Sequence, residues 1–371
     1  MSPSPRIAWD ATVVRPPLSG VHLSVQAELQ AMFGRPGTAG GTLFSLCPQL
    51  RQCAAGAGIA TPPLPPGLRG VARRILWQQT RLPARLRQCQ ADVLHATAYT
   101  APLRSPVPVV LNVHDIIALE HPELCSRLNV CHMRLLLARS IRRAAVNIAT
   151  TAHVADRVRH RLGIPAERLA VVPLGVDAAR FAPPSQKPYS DHRPYLLFVG
   201  NIEPKKGLET LLDAYARSAP ALGLDLVLAG RPGWRCDALL ERLRRWCGPG
   251  RIVLAGRVDD GELVRLYQGA WAFVFPSLCE GFGLPVLEAM AAGTPVLHSD
   301  HPAVREVAGE AGIRFPAGDG EALAKALRHL HASPGNRAER AAAGLARAAR
   351  FTWERRAQAV LDILLAAGRN T

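Results

Sequence analysis

The sequence predicts an α/β protein built from two similar domains. Its 371 residues are two to three times the size of a common single domain. Short apolar runs alternate with amphipathic stretches from end to end, which is typical of strand-helix-strand units around parallel sheets. This alternation lapses once, in a proline-rich polar stretch at 181–188. We therefore expect domains at 1–185 and 186–351, with a linker at 181–188 and a final helix within 352–371.

In the first half, buried apolar runs predict strands over 6–10, 42–46, 93–96, 109–114, 146–149 and 169–172. The amphipathic stretches between them predict helices over 21–33, 71–88, 126–143 and 152–162. Prolines and a glycine at 62–67 predict a loop.

The second half repeats the pattern, with predicted strands over 195–199, 225–229, 252–255, 272–275, 295–298 and 313–315, each followed by a helical segment. A final amphipathic helix is predicted over 352–367. Thr352 lies at its N-cap and Glu354 in its first turn, as a helix N-terminus favours.

The composition indicates a globular protein with anionic partners. Hydrophobic residues make up 48% of the chain and charged residues 20%, which excludes a disordered chain and a membrane bundle. Lys and Arg exceed Asp and Glu by 45 to 29, for a net charge of +16. Residues 1–185 hold 21 of the basic and only nine of the acidic residues. Nucleic acid, an acidic membrane and phosphorylated substrates are all compatible with this charge.

Two stretches concentrate the arginines of the first half, and both are predicted to be helical. They contain Arg69, Arg73, Arg74, Arg81, Arg85 and Arg87, and then Arg127, Arg134, Arg139, Arg142 and Arg143. If these arginines face outward, they would attract an anionic membrane surface. A merely solvated arginine-rich surface is the alternative, and nucleic-acid binding is disfavoured because no stacking aromatics interleave with the charges.

Neither a metal nor a redox motif is expected. The eight cysteines include no Cys-x-x-Cys pair, and no Asp-x-Asp signature lies in a suitable loop. The first residues lack a basic head followed by a long apolar core, and no apolar run approaches the length of a membrane span. These features predict a cytoplasmic protein without a resident cofactor.

The most informative segment is 275–296. A strand is followed by a glycine-containing loop, and Pro285 lies where a helix would begin, since proline is tolerated in a first turn. Glu280 precedes this helix and Glu288 lies about one turn inside it, so both could face one crevice. An isolated Glu-x7-Glu spacing more often means a dipole-complementing Glu288 and a solvated Glu280. Four backbone amides would converge at the positive end of the helix and form an anion site: Gly281, Phe282, Gly283 and Leu284.

A second segment, at 199–215, again predicts a strand, a glycine turn and a helix from about Leu208. The chain has only four lysines, and two of them, Lys205 and Lys206, lie in this strand-end loop. Ligands of open α/β sheets bind beyond the carboxyl ends of strands, so either lysine could present its charge to a diphosphate. A solvated lysine pair is the alternative.

The first half offers weaker signals. Gly20 lies in a loop before a helix and could let the backbone approach a phosphate. His114 closes a predicted strand at its carboxyl end, although an isolated histidine is more often a hydrogen-bonded structural residue. The Gly56-Ala-Gly58 sequence lacks the third glycine of a dinucleotide fingerprint and is discounted.

Together these motifs resemble the retaining glycosyltransferases of family 4, which have the GT-B architecture of two Rossmann-like doubly wound domains facing across a cleft. The resemblance covers nearly the whole chain. Its motifs are the Gly20 loop, 92–95 (DVLH), 113–116 (VHDI), 121–123 (HPE), 172–177 (VPLGVD), 200–207 (GNIEPKKG), 280–288 and 351–354 (FTWE).

The resemblance implies roles for individual residues. Glu288 would hold the ribose hydroxyls, and Glu280 with the amides of 281–283 would address the donor sugar and diphosphate. Lys206 matches the diphosphate lysine of the family, and His114 matches a histidine that contacts the transferred sugar. Asn201 stands where the family usually has arginine, so either Lys205 supplies the second charge or phosphate binding is weaker.

For the domains, the resemblance implies an N-terminal acceptor-binding domain and a C-terminal nucleotide-sugar domain, with the last helix crossing back to the first. It also implies a metal-independent, retaining transfer of a hexose, with GDP-mannose as the first choice of donor. The acceptor would be a lipid-linked or surface saccharide. The alternatives are a sugar-nucleotide epimerase on the same fold and a non-enzymatic basic protein that binds membrane or nucleic acid.

Overall fold

A computed structural model divides the chain into two compact units, each containing one parallel six-stranded sheet. It describes residues 4–15, 19–65, 67–68, 70–183 and 193–369. Unit 1 comprises Met1–Pro122, Arg127–Gly175 and Trp353–Thr371, and unit 2 comprises Glu123–Ser126 and Val176–Thr352. The first residue of the predicted linker at 181–188, Phe181, is the last residue of a described helix. Most of the linker lies outside the described residues.

Unit 1 contains strands β1 (Ile7–Asp10), β2 (Thr42–Phe44), β3 (Val93–Ala96), β4 (Val109–Val113), β5 (Val146–Ala149) and β6 (Leu169–Val171). Its helices are α1 (Gly20–Met32), α2 (Pro48–Gly56), α3 (Val71–Thr80), α4 (Leu82–Gln88), α5 (Ile117–Glu120), α6 (Arg127–His132), α7 (Ala138–Arg143) and α8 (Ala152–Leu162). The strand order is β2-β1-β3-β4-β5-β6, and all described pairs are parallel.

Unit 2 contains strands β7 (Tyr195–Val199), β8 (Asp225–Ala229), β9 (Ile252–Gly256), β10 (Ala272–Phe275), β11 (Val296–Ser299) and β12 (Ile313–Phe315). Its helices are α9 (Ala178–Phe181), α10 (Leu208–Leu222), α11 (Asp237–Arg244), α12 (Asp260–Gly269), α13 (Leu284–Ala291), α14 (Pro302–Ala308), α15 (Gly320–Ala332) and α16 (Pro334–Ala348). The order β12-β11-β10-β7-β8-β9 is the doubly wound order of a Rossmann fold.

Most central strands form as predicted because they are continuous apolar runs buried on both faces. The predicted helix over 71–88 is wrong as a single element: it breaks at Arg81 into α3 and α4. Pro83 lies in the first turn of α4, where its missing N–H and its ring cannot continue the preceding helix. The helix predicted over 126–143 is interrupted by a π-helical turn at Met133–Leu137.

The last helix, α17 (Trp353–Arg369), belongs to unit 1 and packs against α1 and β3. Glu28 on α1 and Arg356 on α17 form an ion pair in the core of unit 1. The Arg356 Nε lies 2.5 Å from Glu28 Oε2, and their side chains are 0% and 1% exposed. Asn112 also donates to Glu28, so the carboxylate is held from two sides.

None of the described helices is both long and apolar enough to cross a bilayer.

Candidate functional site

The strand order of unit 2 reverses between β7 and β10, the two neighbouring strands from which the chain proceeds in opposite directions across the sheet. In open α/β sheets, ligands bind beyond the carboxyl ends of strands at such a switch point. The two loops that leave β7 and β10 are the lysine-bearing and glutamate-bearing segments that the sequence singles out. The fold therefore brings both segments to one edge of one sheet.

Close backbone packing joins these two loops. Lys205 O accepts a hydrogen bond from Leu278 N at 2.8 Å. Gly207 has a φ of +64°, and a Cβ built on it would lie 2.0 Å from Pro276 O. Glycine is therefore required at the end of the first loop, immediately before α10 begins at the predicted Leu208.

Lys206 and Glu280 form an ion pair across the two loops, with 2.5 Å between Nζ and Oε1. The Lys206 ammonium also lies 5.4 Å from the ring centroid of Phe275. Burial alone would raise the pKa of Glu280. The positive charge and hydrogen bond of Lys206 outweigh it, so the pKa lies below its ordinary value and the carboxylate stays ionised.

Lys205 and Asn201 converge on a different carboxylate. Lys205 Nζ lies 3.7 Å from Glu203 Oε2, and Asn201 Nδ2 donates to Glu203 Oε1 at 3.2 Å. The residue in place of the usual arginine is thus exposed and turned toward Glu203. Lys205 lies in the same loop, with its ammonium directed to Glu203.

The amino end of α13 leaves backbone amides unpaired. Gly283 is its N-cap with a φ of +103°, and Pro285 lies in the first turn as predicted. Within the described part of the chain, the amides of Phe282, Gly283 and Leu284 donate to no protein acceptor. Unpaired amides at a helix N-terminus favour a bound anion.

Glu288, one turn into α13, is held by a residue that the sequence analysis did not identify. Tyr267 on α12 is fully buried and donates from its hydroxyl to Glu288 Oε2 at 2.7 Å. Burial raises the pKa of Glu288, which the hydrogen bond from Tyr267 and the charge of Arg180 partly oppose. Glu288 Oε1 makes no hydrogen bond to any described residue and can accept one from a ligand.

His114 follows β4 in unit 1 and is only 6% exposed. Its Nε2–H donates to Thr97 O at 3.2 Å, which leaves Nδ1 as the acceptor of a neutral ring. Burial and, secondarily, the charge of Arg356 lower its pKa to about 4. Gly20 is the first residue of α1, where it is exposed and a Cβ would meet no atom within 4 Å.

Most of the arginines in the basic stretches are exposed: Arg73, Arg81, Arg85, Arg87, Arg134, Arg139, Arg142 and Arg143. Arg69 lies outside the described residues, as does the side chain of Arg127. Arg74 departs from the expectation of an outward-facing residue, because it lies on the buried face of α3 with Trp77 and Gln78.

Comparison with known proteins gives concordant matches along the chain. Residues 193–333 match the family model "Glycosyl transferases group 1", and residues 39–180 match "Glycosyltransferase Family 4". The O-antigen chain mannosyltransferase B of Escherichia coli is 31% identical over 72% of this chain and 73% of its own length.

Many solved structures share the fold, and two of them are compared with this chain. Sucrose-phosphate synthase from Thermosynechococcus elongatus superposes with a TM-score of 0.79 at 20% identity, covering 99% of this chain and 100% of that one. HepE from Anabaena, solved with UDP and glucose, gives a TM-score of 0.74 at 18% identity, covering 98% and 100%.

Fold and matches together define a glycosyltransferase of the GT-B architecture. The chain belongs to glycosyltransferase family 4 and is related to O-antigen mannosyltransferases. The comparisons give no support to the alternative of a sugar-nucleotide epimerase.

Proposed function

We propose that this chain transfers a hexose, with retention of configuration, from a nucleoside diphosphate sugar to a lipid-linked or surface saccharide. The observation that carries the proposal is the switch point of unit 2, which combines the Lys206 ammonium, the carboxylates of Glu280 and Glu288, and unpaired amides at α13. HepE, solved with UDP and glucose, shares this fold. GDP-mannose is the preferred donor, because the identified relative is a mannosyltransferase.

The reaction breaks the bond between the sugar C1 and the diphosphate oxygen, so negative charge develops on the diphosphate. Lys206 and the amides of Phe282 and Gly283 would stabilise that charge without a metal ion. Fixed donors aimed at a developing charge lower the barrier, and removing one typically costs about 3 kcal/mol. Glu280 would orient the ammonium through their ion pair and address hydroxyls of the donor sugar.

Glu288 would bind the ribose. Its Oε1 has no partner among the described residues, and its Oε2 already accepts from Tyr267, so the carboxylate has a fixed orientation and remaining acceptor capacity. His114 would receive a sugar hydroxyl at Nδ1, because Nε2–H is committed to Thr97. A neutral ring is suited to that contact, since its unprotonated Nδ1 can accept a hydrogen bond and a protonated ring could not.

Retention would follow from substitution on a single face of the sugar. The acceptor oxygen bonds to C1 as the diphosphate oxygen departs, and the acceptor proton passes to the departing phosphate. This course requires no enzyme nucleophile. It predicts that the product keeps the anomeric configuration of the donor, which NMR of the product tests directly.

A thermal-shift panel of GDP, UDP, dTDP and ADP tests the donor site. We expect GDP to give the largest rise in Tm, because GDP-mannose is the preferred donor. A ligand that binds only the folded state stabilises it by about 2.7 kcal/mol at a hundredfold excess over Kd. The Glu288→Ala variant should lose this shift, whereas Glu321→Ala, an exposed residue of α15, should keep it. Nucleotide binding that is unchanged in Glu288→Ala would contradict the assignment.

We also propose that unit 1 docks on the cytoplasmic face of an anionic membrane, where a lipid-linked acceptor would be presented. The exposed arginines of α3, α4 and 134–143 are accompanied by exposed apolar side chains, Leu76 at 63% and Leu135 at 50%. Each arginine near an anionic leaflet contributes about 1 kcal/mol.

Sedimentation with phosphatidylglycerol-containing vesicles tests this docking. Binding should be strong at low salt and weak at high salt, and it should fall in Arg134→Glu but not in Arg328→Glu, an exposed site of unit 2. Absence of sedimentation at low salt would contradict it.

A further inference from the structure

The strand order of unit 1 also reverses, between β1 and β3, and the carboxyl ends of these strands form a second switch point. Asp10 ends β1, and Thr97 follows β3. Their main chains are linked there, since the Thr97 hydroxyl donates to Asp10 O at 2.7 Å. By the rule that places ligands in open α/β sheets, this edge is a second binding position, separate from the loops of unit 2.

Helix α3 lies against this edge. Gln78 donates from Nε2 to Asp10 Oδ2 at 2.7 Å and to Thr100 O at 3.0 Å. Arg74 is one helical turn before Gln78, on the same buried face of α3. The helix thus carries an arginine to the switch point of unit 1.

Arg74 as a whole residue is 6% exposed, and its guanidinium forms no hydrogen bond or ion pair with any residue in the described ranges. Asp10 influences it electrostatically. However, both Asp10 oxygens are already engaged: Oδ1 accepts from Thr12 N and Oγ1, and Oδ2 accepts from Gln78. Asp10 is therefore a nearby counter-charge that is hydrogen-bonded elsewhere, and the guanidinium N–H groups have no acceptor among the described residues.

Charges of both signs act on Arg74. Burial lowers its pKa, the negative charge of Asp10 opposes that shift, and the charge of Arg15 adds to it. The charge of Arg74 in turn contributes to the lowered pKa of His132 on α6. Guanidinium N–H groups that are buried without an acceptor cost free energy, so an anion that bonds to them would be favoured.

We propose that Arg74 forms, at the switch point of unit 1, a binding site for a phosphoryl group of the acceptor. This inference rests on the proposed function, because it assigns unit 1 an acceptor that carries such a group. The planar guanidinium can donate two parallel hydrogen bonds to phosphoryl oxygens, a geometry that an ammonium does not match. A diphosphate ester and free inorganic pyrophosphate share this chemistry.

Calorimetric titration tests the site on the full chain, with the unit 2 site first saturated by the nucleotide that the thermal-shift panel selects. The two probes are inorganic pyrophosphate and geranyl diphosphate. We expect the wild-type protein to bind both, and Arg74→Gln to bind each at least tenfold more weakly. Tighter binding of geranyl diphosphate would identify an ester as the ligand, whereas equal binding would identify a free pyrophosphate site.

Two controls separate binding from folding. Arg159→Gln removes an exposed arginine of α8 in the same unit and should bind both probes as the wild type does. Without a probe, Arg74→Gln should be at least as stable as the wild type, because it removes guanidinium N–H groups that are buried without an acceptor. Lower stability of Arg74→Gln, or probe binding equal to the wild type, would overturn the proposal.

These outcomes are distinguishable from failure of the proposed function. If no nucleotide protects the protein, the donor site of unit 2 is wrong. If nucleotides protect it and neither diphosphate binds through Arg74, only the acceptor inference fails.

Discussion

Two ion pairs between a glutamate and a basic residue connect distant parts of the sequence, one in each unit. Glu28–Arg356 in unit 1 is enclosed, with side chains 1% and 0% exposed, and Arg356 also donates to Val172 O. Lys206–Glu280 in unit 2 is partly open, with side chains 15% and 12% exposed, at the ends of two strands. The same chemistry therefore occurs in two different environments.

The difference indicates two different uses of a salt bridge. An enclosed pair cannot exchange partners, and removing either member leaves an uncompensated buried charge. A pair at a loop edge can exchange its carboxylate for a phosphate with little loss of packing. We therefore expect Glu28–Arg356 to govern stability and Lys206–Glu280 to govern turnover.

The largest expected effect is on the enclosed pair. Arg356→Met should lower the free energy of unfolding by about 3–5 kcal/mol, because Glu28 remains buried without its partner. Urea denaturation measures this loss. The double variant Glu28→Leu/Arg356→Met should recover much of it, since both charges are then replaced by apolar groups. A loss below about 1 kcal/mol in Arg356→Met would break the comparison.

The open pair should show the opposite behaviour. Lys206→Ala should slow sugar transfer about a hundredfold, equivalent to about 3 kcal/mol of transition-state stabilisation. Its free energy of unfolding should fall by less than that of Arg356→Met, because both side chains of the open pair retain some contact with solvent. The measurement is kcat with saturating donor. Lys325→Ala, at an exposed site of α15, is the matched control, and wild-type kcat in Lys206→Ala would remove the assignment.

The buried His114 of unit 1 should make the stability of the protein depend on pH. The folded-state pKa of His114 is about 4, against an ordinary value of 6.5, so the unfolded chain binds more protons between these values. The stabilisation is present above pH 6.5 and is lost as pH falls toward 4. Between pH 7 and pH 5 the wild type should lose about 2 kcal/mol more than His114→Asn, as measured by urea denaturation. Equal losses in the two proteins would contradict a lowered pKa of His114 in the folded state.

The smallest effect concerns the hydrogen bond that the Tyr267 hydroxyl donates to Glu288. Tyr267→Phe keeps the ring and removes the hydroxyl, so nucleotide affinity should fall about fivefold, or about 1 kcal/mol. A 2′,3′-dideoxynucleotide should bind the variant and the wild type alike, because it offers Glu288 no ribose hydroxyls. Equal weakening for both nucleotides would indicate a purely structural hydroxyl.

The sequence predicts the sheets well because their strands are short, mainly apolar runs. It predicts the Lys206 and Glu280 loops because strand-glycine-helix transitions mark the carboxyl edge of a sheet. The two helices α3 and α4 were merged, because amphipathic periodicity continues through Arg81 and only Pro83 signals the break. The short α2 and α9 were missed, since few residues carry a period in so brief a helix.

Side-chain partnerships were the least predictable feature. Glu28 shares the buried face of α1 with Val25 and Leu29, and a charge on an apolar face signals a partner. Nothing in the spacing identifies that partner as Arg356, which lies 328 positions away. Tyr267 likewise gives no signal, because its role depends on how α12 packs beside α13.

The assignment of α17 to unit 1 has a consequence for biosynthesis. The chain leaves unit 1 after Gly175 and returns to it only at Trp353, so all of β7–β12 emerges from the ribosome before the N-terminal sheet can acquire its last helix. During translation, Glu28 lacks its arginine partner until Arg356 is made, and the apolar surface that receives α17 stays uncovered. We therefore expect nascent unit 1 to be prone to aggregation until α17 is made, and a stop codon before 353 would leave its core permanently without that helix.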